Sequence, residues 1–254
     1  MSEPDLTPHD VSWPSYDAVL FDLDGVITPT ADVHERAWRT MFDEFLARHV
    51  GDGYTPCSEQ DYLAYIDGRP RFDGVRTFLQ ARDIDLPEGT AQDAPGYDTV
   101  GALGNRKNEL FLTVLRRDGI SAYPGAQRLL DHLATLGTAT AVVSSSRNAV
   151  EVLRAAGLLE RLPTVVDGVV ARDRDLPGKP APDMFLAACE MLGAAPSSAV
   201  VLEDALSGVA AGRAGAFALV VGVDRGAGTD ALREAGADLV VGDLGELVPD
   251  GGSS

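Results

Sequence analysis

Apolar positions along this chain follow two rhythms, which change over near residue 120. The first apolar block, Ala18-Val19-Leu20-Phe21, is short and unbroken and runs into Asp22-Leu23-Asp24-Gly25. That pattern reads as a buried strand breaking into a tight turn. Beyond it, Val33, Ala37, Met41 and Phe45 recur at helical spacing and predict a helix over 31–50. Stretches 61–80 and 105–117 read as further helices, separated by polar residues around Pro87-Glu88-Gly89 and Asp93-Ala94-Pro95-Gly96. No strand pattern appears between Thr30 and about Gly119, so this stretch reads as a helical insert between the first and second strands.

From Tyr123-Pro124-Gly125 onward, helix and strand alternate. Helices are expected over 126–136, 148–156, 183–192 and 207–214, each stopped by a glycine at 137, 157, 193 or 215. Strands are expected over 138–143, 164–166, 199–202 and 217–223, with a last helix and strand across 231–241. Near-continuous apolar strands alternating with helices predict an α/β fold, a doubly wound, Rossmann-like parallel sheet. The expected domains are an α/β core over 17–29 and 120–248 and a helical domain over 30–119. The Pro-, Ser- and Asp-rich residues 1–16 and the end 249–254 read as flexible tails.

Composition narrows the function. A chain of 254 residues with 45% hydrophobic content supports a packed core, and its net charge of −18 argues against nucleic-acid or anionic-membrane partners. A small phosphorylated substrate stays compatible, because a few local cations draw a phosphate into an acidic protein. Cys57 and Cys189 lack metal-ligand spacing and read as ordinary reduced thiols. The polar start and the absence of a membrane-length apolar run predict a soluble, cytoplasmic protein, expected to be a monomer.

Candidate chemistry gathers at strand ends. Asp22 and Asp24 are two apart, so both can project beyond the same strand, one as nucleophile and metal ligand and the other as proton carrier. Ser144 follows Ala141-Val142-Val143, Lys179 sits in GKPAPD, and Glu203-Asp204 follow Ala199-Val200-Val201-Leu202. In a parallel sheet, ligands bind outside the carboxyl ends of the strands. Taken singly, each residue has a plainer reading: Ser144 as a helix cap, Lys179 as a surface cation, Glu203-Asp204 as acids at a helix start. His34 and Trp38, four apart, fit core packing as well as substrate contact, and Arg71 and Lys107 fit solvated charges. A carboxylate attacking a phosphate ester needs positive charge nearby. Mg²⁺ on Asp22, the Asp24 carbonyl, Glu203 and Asp204 would supply it, with Lys179 as a second cation.

The DLDGV turn, Ser144, Lys179 in GKPAPD and Glu203-Asp204 together resemble the haloacid dehalogenase superfamily of phosphotransferases, over roughly 17–247. A helical insert directly after the DxD motif resembles that superfamily's first cap type. FDLDGVIT followed by His34 and Trp38, the Arg106-Lys107-Asn108 triplet and SSSRN at 144–148 are most similar to its β-phosphoglucomutase subgroup. The resemblance implies that Asp22 is phosphorylated and that Asp24 is general acid and base, with Thr30 in the cap hinge. It implies that His34 and Lys107 position Asp24 and the sugar phosphate, and that Arg71 in DGRPRFDG holds the phosphate not being transferred. Ser144, Ser145, Ser146, Arg147 and Asn148 match the segment that binds phosphoryl and sugar groups, and Lys179, Glu203 and Asp204 match the lysine and metal acids. The implied activity converts β-glucose 1-phosphate to glucose 6-phosphate through a bisphosphate. The alternative is a phosphatase for a sugar phosphate or another small metabolite. Departures are Arg147 in place of lysine, Pro29 in place of an acid, Asp67 before Gly68 where lysine often stands, and the extra residues 86–99.

Overall fold

The computed structural model describes residues 6–66 and 69–249, so the tail positions 1–5 and 250–254 and the Asp67-Gly68 departure lie outside the described residues. The chain divides into two compact units, one of residues 1–29 with 120–254 and one of Thr30–Gly119.

The larger unit is built on six parallel strands. They are β1 (Ala18–Phe21), β2 (Ala139–Val143), β3 (Val165–Val166), β4 (Ala199–Glu203), β5 (Leu219–Val223) and β6 (Leu239–Val241), in the order β3-β2-β1-β4-β5-β6. Every residue of β1, β4 and β5 is buried, as expected of strands covered by helices on both faces. Register sets the chemistry: Phe21 pairs with Val142 on one side and Leu202 on the other. Asp22, Val143 and Glu203 therefore sit level at the carboxyl edge of the three central strands.

Among the described residues, four helices make up the smaller unit: α1 (Thr30–His49), α2 (Glu59–Tyr65), α3 (Arg71–Ala81) and α4 (Val100–Asp118). The larger unit carries α5 (Pro124–Leu136), α6 (Ala149–Ala155), α7 (Gly168–Asp173), α8 (Asp183–Leu192), α9 (Leu206–Ala214) and α10 (Thr229–Ala235). Among the described residues, none of these helices is long and apolar enough to cross a membrane.

Within the smaller unit, Trp38, Met41, Phe42 and Phe45 from α1 pack against Val75, Phe78 and Leu79 from α3 and Leu103 from α4. Phe42 stacks on Phe78 with ring centroids 3.7 Å apart. The extra residues 86–99 are folded onto the start of α4. Val100 N donates to Pro87 O at 2.9 Å, Asn105 Nδ2 to Asp93 O at 2.8 Å, and the Thr99 hydroxyl accepts from Ala102 N at 2.9 Å as the helix cap.

Four local expectations change. The helix over 61–80 is two helices, because Pro70 cannot donate a helical hydrogen bond and takes φ −53°, ψ 142° as the cap of α3. The loop read before Lys179 contains α7, nucleated by Asp167, whose carboxylate accepts from Val169 N and Val170 N at 2.9 Å each. After α9, Gly215 keeps φ −80° and Ala216 takes the left-handed turn at φ 53°. Residues 6–16 are not a loose lead-in: Trp13 is 1% exposed and its indole N–H donates to Leu247 O at 2.8 Å. A buried tryptophan with its donor satisfied anchors that segment to the core.

Candidate active site

Asp22 closes β1, its backbone N–H donating to Leu202 O at 2.9 Å. The turn after it is self-bonded: Gly25 N donates to Thr28 O at 2.8 Å, and Ile27 N and Thr28 N both donate to Leu23 O at 3.0 Å. Gly25 at φ +85° is a glycine for two reasons. The conformation is left-handed, and a Cβ there would meet Asp204 Oδ2 at 1.9 Å.

Lys179 reaches back to this edge with a side chain 6% exposed. Its Nζ donates to Asp22 Oδ1 at 2.5 Å, to Val143 O at 3.1 Å and to Glu203 Oε1. The Phe185 ring of α8, itself fully buried, lies 5.0 Å from the ammonium. Burial alone would lower the lysine's pKa; Asp22 and Glu203 reverse that and hold it above its ordinary value, so it stays a cation.

Glu203 is 1% exposed and spends its other oxygen on Ala205 N at 2.9 Å, so it also supports the start of α9. Room for it comes from Gly208, where a Cβ would stand 1.7 Å from Glu203 Oε1. Oxygens of Asp22, Glu203 and Asp204 lie within 4.8 Å of one another. Burial pushes Asp204 up to about 7, with Glu203 adding to it. Burial also raises Asp22, against Lys179, with Glu203, Asp24 and Asp204 reinforcing burial. Three close hard oxygen donors beside a single lysine form an anionic excess that suits a small divalent cation of the Mg²⁺ type.

Asp24 and Ser144 complete the cluster. The Ser144 hydroxyl, 1% exposed, donates to Asp24 Oδ2 at 3.4 Å and accepts from Ser146 N at 3.1 Å. Ser144 thus does not cap α6, which begins at Ala149 with Asn148 before it. Asn148 is buried, and its N–H donates to Ser146 Oγ at 3.1 Å, whereas Ser145 and Arg147 are exposed.

The expected ligands on the smaller unit form a group of their own. Lys107, 4% exposed, donates to His34 Nδ1 at 2.5 Å and lies 5.1 Å from the Trp38 ring and 5.2 Å from the Phe111 ring. His34 stacks on Phe111 at 4.3 Å. Burial holds His34 well below its usual range, and Lys107 and Arg71 push the same way. Arg71 Nη2 donates to Asn108 Oδ1 at 2.8 Å. Arg106 is turned elsewhere, to Glu44 at 3.1 Å and Glu109 at 2.7 Å.

Sequence reasoning missed Gly208 and Phe185. The one available signal was a small residue five places after Glu203, where the helix must pass beside a buried carboxylate.

The model of the haloacid dehalogenase-like hydrolase family matches residues 16–215. A β-phosphoglucomutase of Mycobacterium bovis is 49% identical over 238 residues, covering 91% of each chain. Hexitol phosphatase A of Escherichia coli is 32% identical over 228 residues, covering 90% of this chain and 91% of its own. A solved haloacid dehalogenase family hydrolase of Deinococcus radiodurans, with bound phosphate and sodium, superposes with a TM-score of 0.68 at 30% identity, covering 92% and 94%. With Asp22, Lys179, Glu203 and Asp204 gathered at one sheet edge and the family model running from before β1 to the end of α9, this chain belongs to the haloacid dehalogenase-like hydrolase family, and it is an enzyme of that family.

Proposed function

We propose that this protein is a Mg²⁺-dependent phosphotransferase that works through an aspartyl-phosphate on Asp22, and that it converts β-glucose 1-phosphate to glucose 6-phosphate. The observation that carries the reading is the buried Asp22 carboxylate, set beside Lys179, Glu203 and Asp204 with Asp24 on the same turn. Asp22, Glu203, Asp204 and the Asp24 carbonyl would hold Mg²⁺, which supplies the positive charge that lets a carboxylate approach a phosphoryl group.

One Asp22 oxygen forms the new P–O bond as the ester P–O bond breaks. Asp24 protonates the departing sugar oxygen and later takes the proton from the incoming hydroxyl. Lys179, kept charged by its two carboxylates, and Ser144 stabilise the phosphoryl oxygens in transit. Residues 30–119 serve as the cap, with Arg71 gripping the distal phosphate and His34, Trp38 and Lys107 meeting the sugar phosphate. Support for a mutase comes from the mycobacterial β-phosphoglucomutase at 49% identity.

A phosphatase for a sugar phosphate is the second reading, favoured by the 32% identity to hexitol phosphatase A. The two readings differ in whether a sugar hydroxyl or water takes the phosphoryl group. Supplying β-glucose 1-phosphate with a trace of the 1,6-bisphosphate and measuring glucose 6-phosphate against free phosphate separates them. The mutase yields glucose 6-phosphate in large excess; free phosphate as the main product establishes the phosphatase. Arg71→Ala should depress mutase flux far more than hydrolysis of acetyl phosphate, and an equal effect on both would remove the grip from the argument.

A further inference from the structure

Arg225 stands in the loop after β5, on a segment that no motif singles out. The loop is arranged to aim it. Asp224 Oδ1 accepts from Gly226 N at 2.9 Å and from Gly228 N at 3.1 Å, while Asp224 N donates to Val241 O at 2.8 Å. The Arg225 guanidinium donates from Nε to Gly25 O at 2.8 Å and from Nη1 to Gly242 O at 3.1 Å. Its face lies 3.9 Å from the centre of the Tyr123 ring, and Tyr123 N donates to Ile27 O at 2.9 Å. One cation therefore grips the turn at the residue after Asp24, and its stacking partner grips the same turn two residues further on. A planar fork that donates along its edge and stacks on its face does both at once; an ammonium cannot.

From this geometry we infer that Arg225 is a positioning residue for Asp24. Pinning the Gly25 carbonyl fixes the Gly25–Val26 peptide and, with Gly25 N held on Thr28 O, braces the turn that sets the angle at which the Asp24 carboxylate meets a departing oxygen. The inference rests on the phosphotransfer reading, in which Asp24 carries the proton. Its signature is selectivity for the leaving group. An alkoxide must be protonated as it leaves, whereas a nitrophenolate leaves almost unaided, so a misplaced Asp24 slows phosphoryl transfer to Asp22 from the first ester and spares that step with the second.

The test compares Arg225→Ala and Arg225→Lys with the wild-type full chain in Mg²⁺. The substrates are glucose 6-phosphate, followed as phosphate release, and p-nitrophenyl phosphate. Amide exchange over residues 23–28 is followed in parallel by mass spectrometry on metal-free protein. In kcat/KM, which reports formation of the aspartyl-phosphate and not its breakdown, Arg225→Ala should lose about tenfold or more on the sugar ester and no more than about threefold on the aryl ester. Exchange over the turn should quicken, and Arg225→Lys should fall between the two. Equal losses on both esters, or unchanged exchange, overturn the inference. Asp24→Asn run alongside separates the two ways of failing. If Asp24→Asn spares both esters, the proton-carrier reading falls and the inference falls with it. If Asp24→Asn is selective for the sugar ester and Arg225→Ala is not, the tether alone is refuted.

Discussion

Replacing Lys179 with methionine removes the single lysine from a site where Asp22, Glu203 and Asp204 crowd together. The chain length is kept, and the apolar stem still packs beside Phe185. At an effective dielectric of about 20, the 2.5 Å pair with Asp22 amounts to about 7 kcal/mol of gross attraction, much of it cancelled by the cost of burying the charges. What remains after removing one partner of a buried pair is a loss of about 3–5 kcal/mol, since the other partner is left uncompensated. For a unit of this size that corresponds to a fall in Tm of roughly 6–20 °C.

The sign with pH follows from Asp22. Its pKa is raised, chiefly by burial and in spite of Lys179, and losing the lysine raises it further. An acid whose folded pKa is raised contributes stability at low pH that is lost as pH rises through that value, so the deficit of the variant should widen from about pH 5 to about pH 8. Differential scanning calorimetry of metal-free protein at both pH values measures it. Added Mg²⁺ should restore more of the Tm in Lys179→Met than in wild type, because it replaces the missing charge. An unchanged Tm, or a deficit as large at low pH as at high, would refute the account of how this site is balanced.

Asp22→Asn should abolish both hydroxylamine-labile phosphate on the protein and turnover, which radiolabelling reads directly. Asp24→Asn should retain metal binding and lose on the order of 10²–10⁴-fold in rate, as expected when general acid and base help is withdrawn. Gly208→Ala should destabilise the protein, although alanine favours a helix by about 1 kcal/mol, because its Cβ would stand 1.7 Å from Glu203 Oε1. A Mg²⁺ titration of the same variant should shift to higher half-activity concentration. His34 has a depressed pKa, so the smaller unit should lose stability as pH falls below the ordinary imidazole value and towards the folded one. His34→Gln should flatten that slope in thermal melts, and an unchanged slope would assign it to other groups.

The sheet was legible because its strands are covered on both faces and carry almost no polar residue, so Ala199–Glu203 and Leu219–Val223 announce themselves without help from spacing. Helix ends were legible where a glycine takes the left-handed conformation, as at Gly137 and Gly193. They were misread where a general preference met a local detail: Pro70 splitting α2 from α3, or Ala216 turning where Gly215 does not. The acids and Lys179 could be read as candidates because strand ends of a parallel sheet share one edge. What holds them there could not. Gly208 matters only through a side chain five residues away, Phe185 through a ring beneath an ammonium, and Arg225 through a carbonyl 200 positions distant in the chain. Such contacts depend on the register of the whole sheet, which no local pattern contains.

The placing of β1 has a consequence for how the molecule is made. Its four apolar residues lie in register with residues 139–142 and 199–202, and residues 30–119 intervene before the first of these. On the ribosome, the helical unit can close on local contacts while Ala18–Phe21 still waits for both neighbours. The central strand of the sheet is thus the earliest to emerge and among the last to be paired. Nascent chains arrested before residue 139 should therefore display a short hydrophobic segment that invites chaperones, and chains arrested after β4 should not.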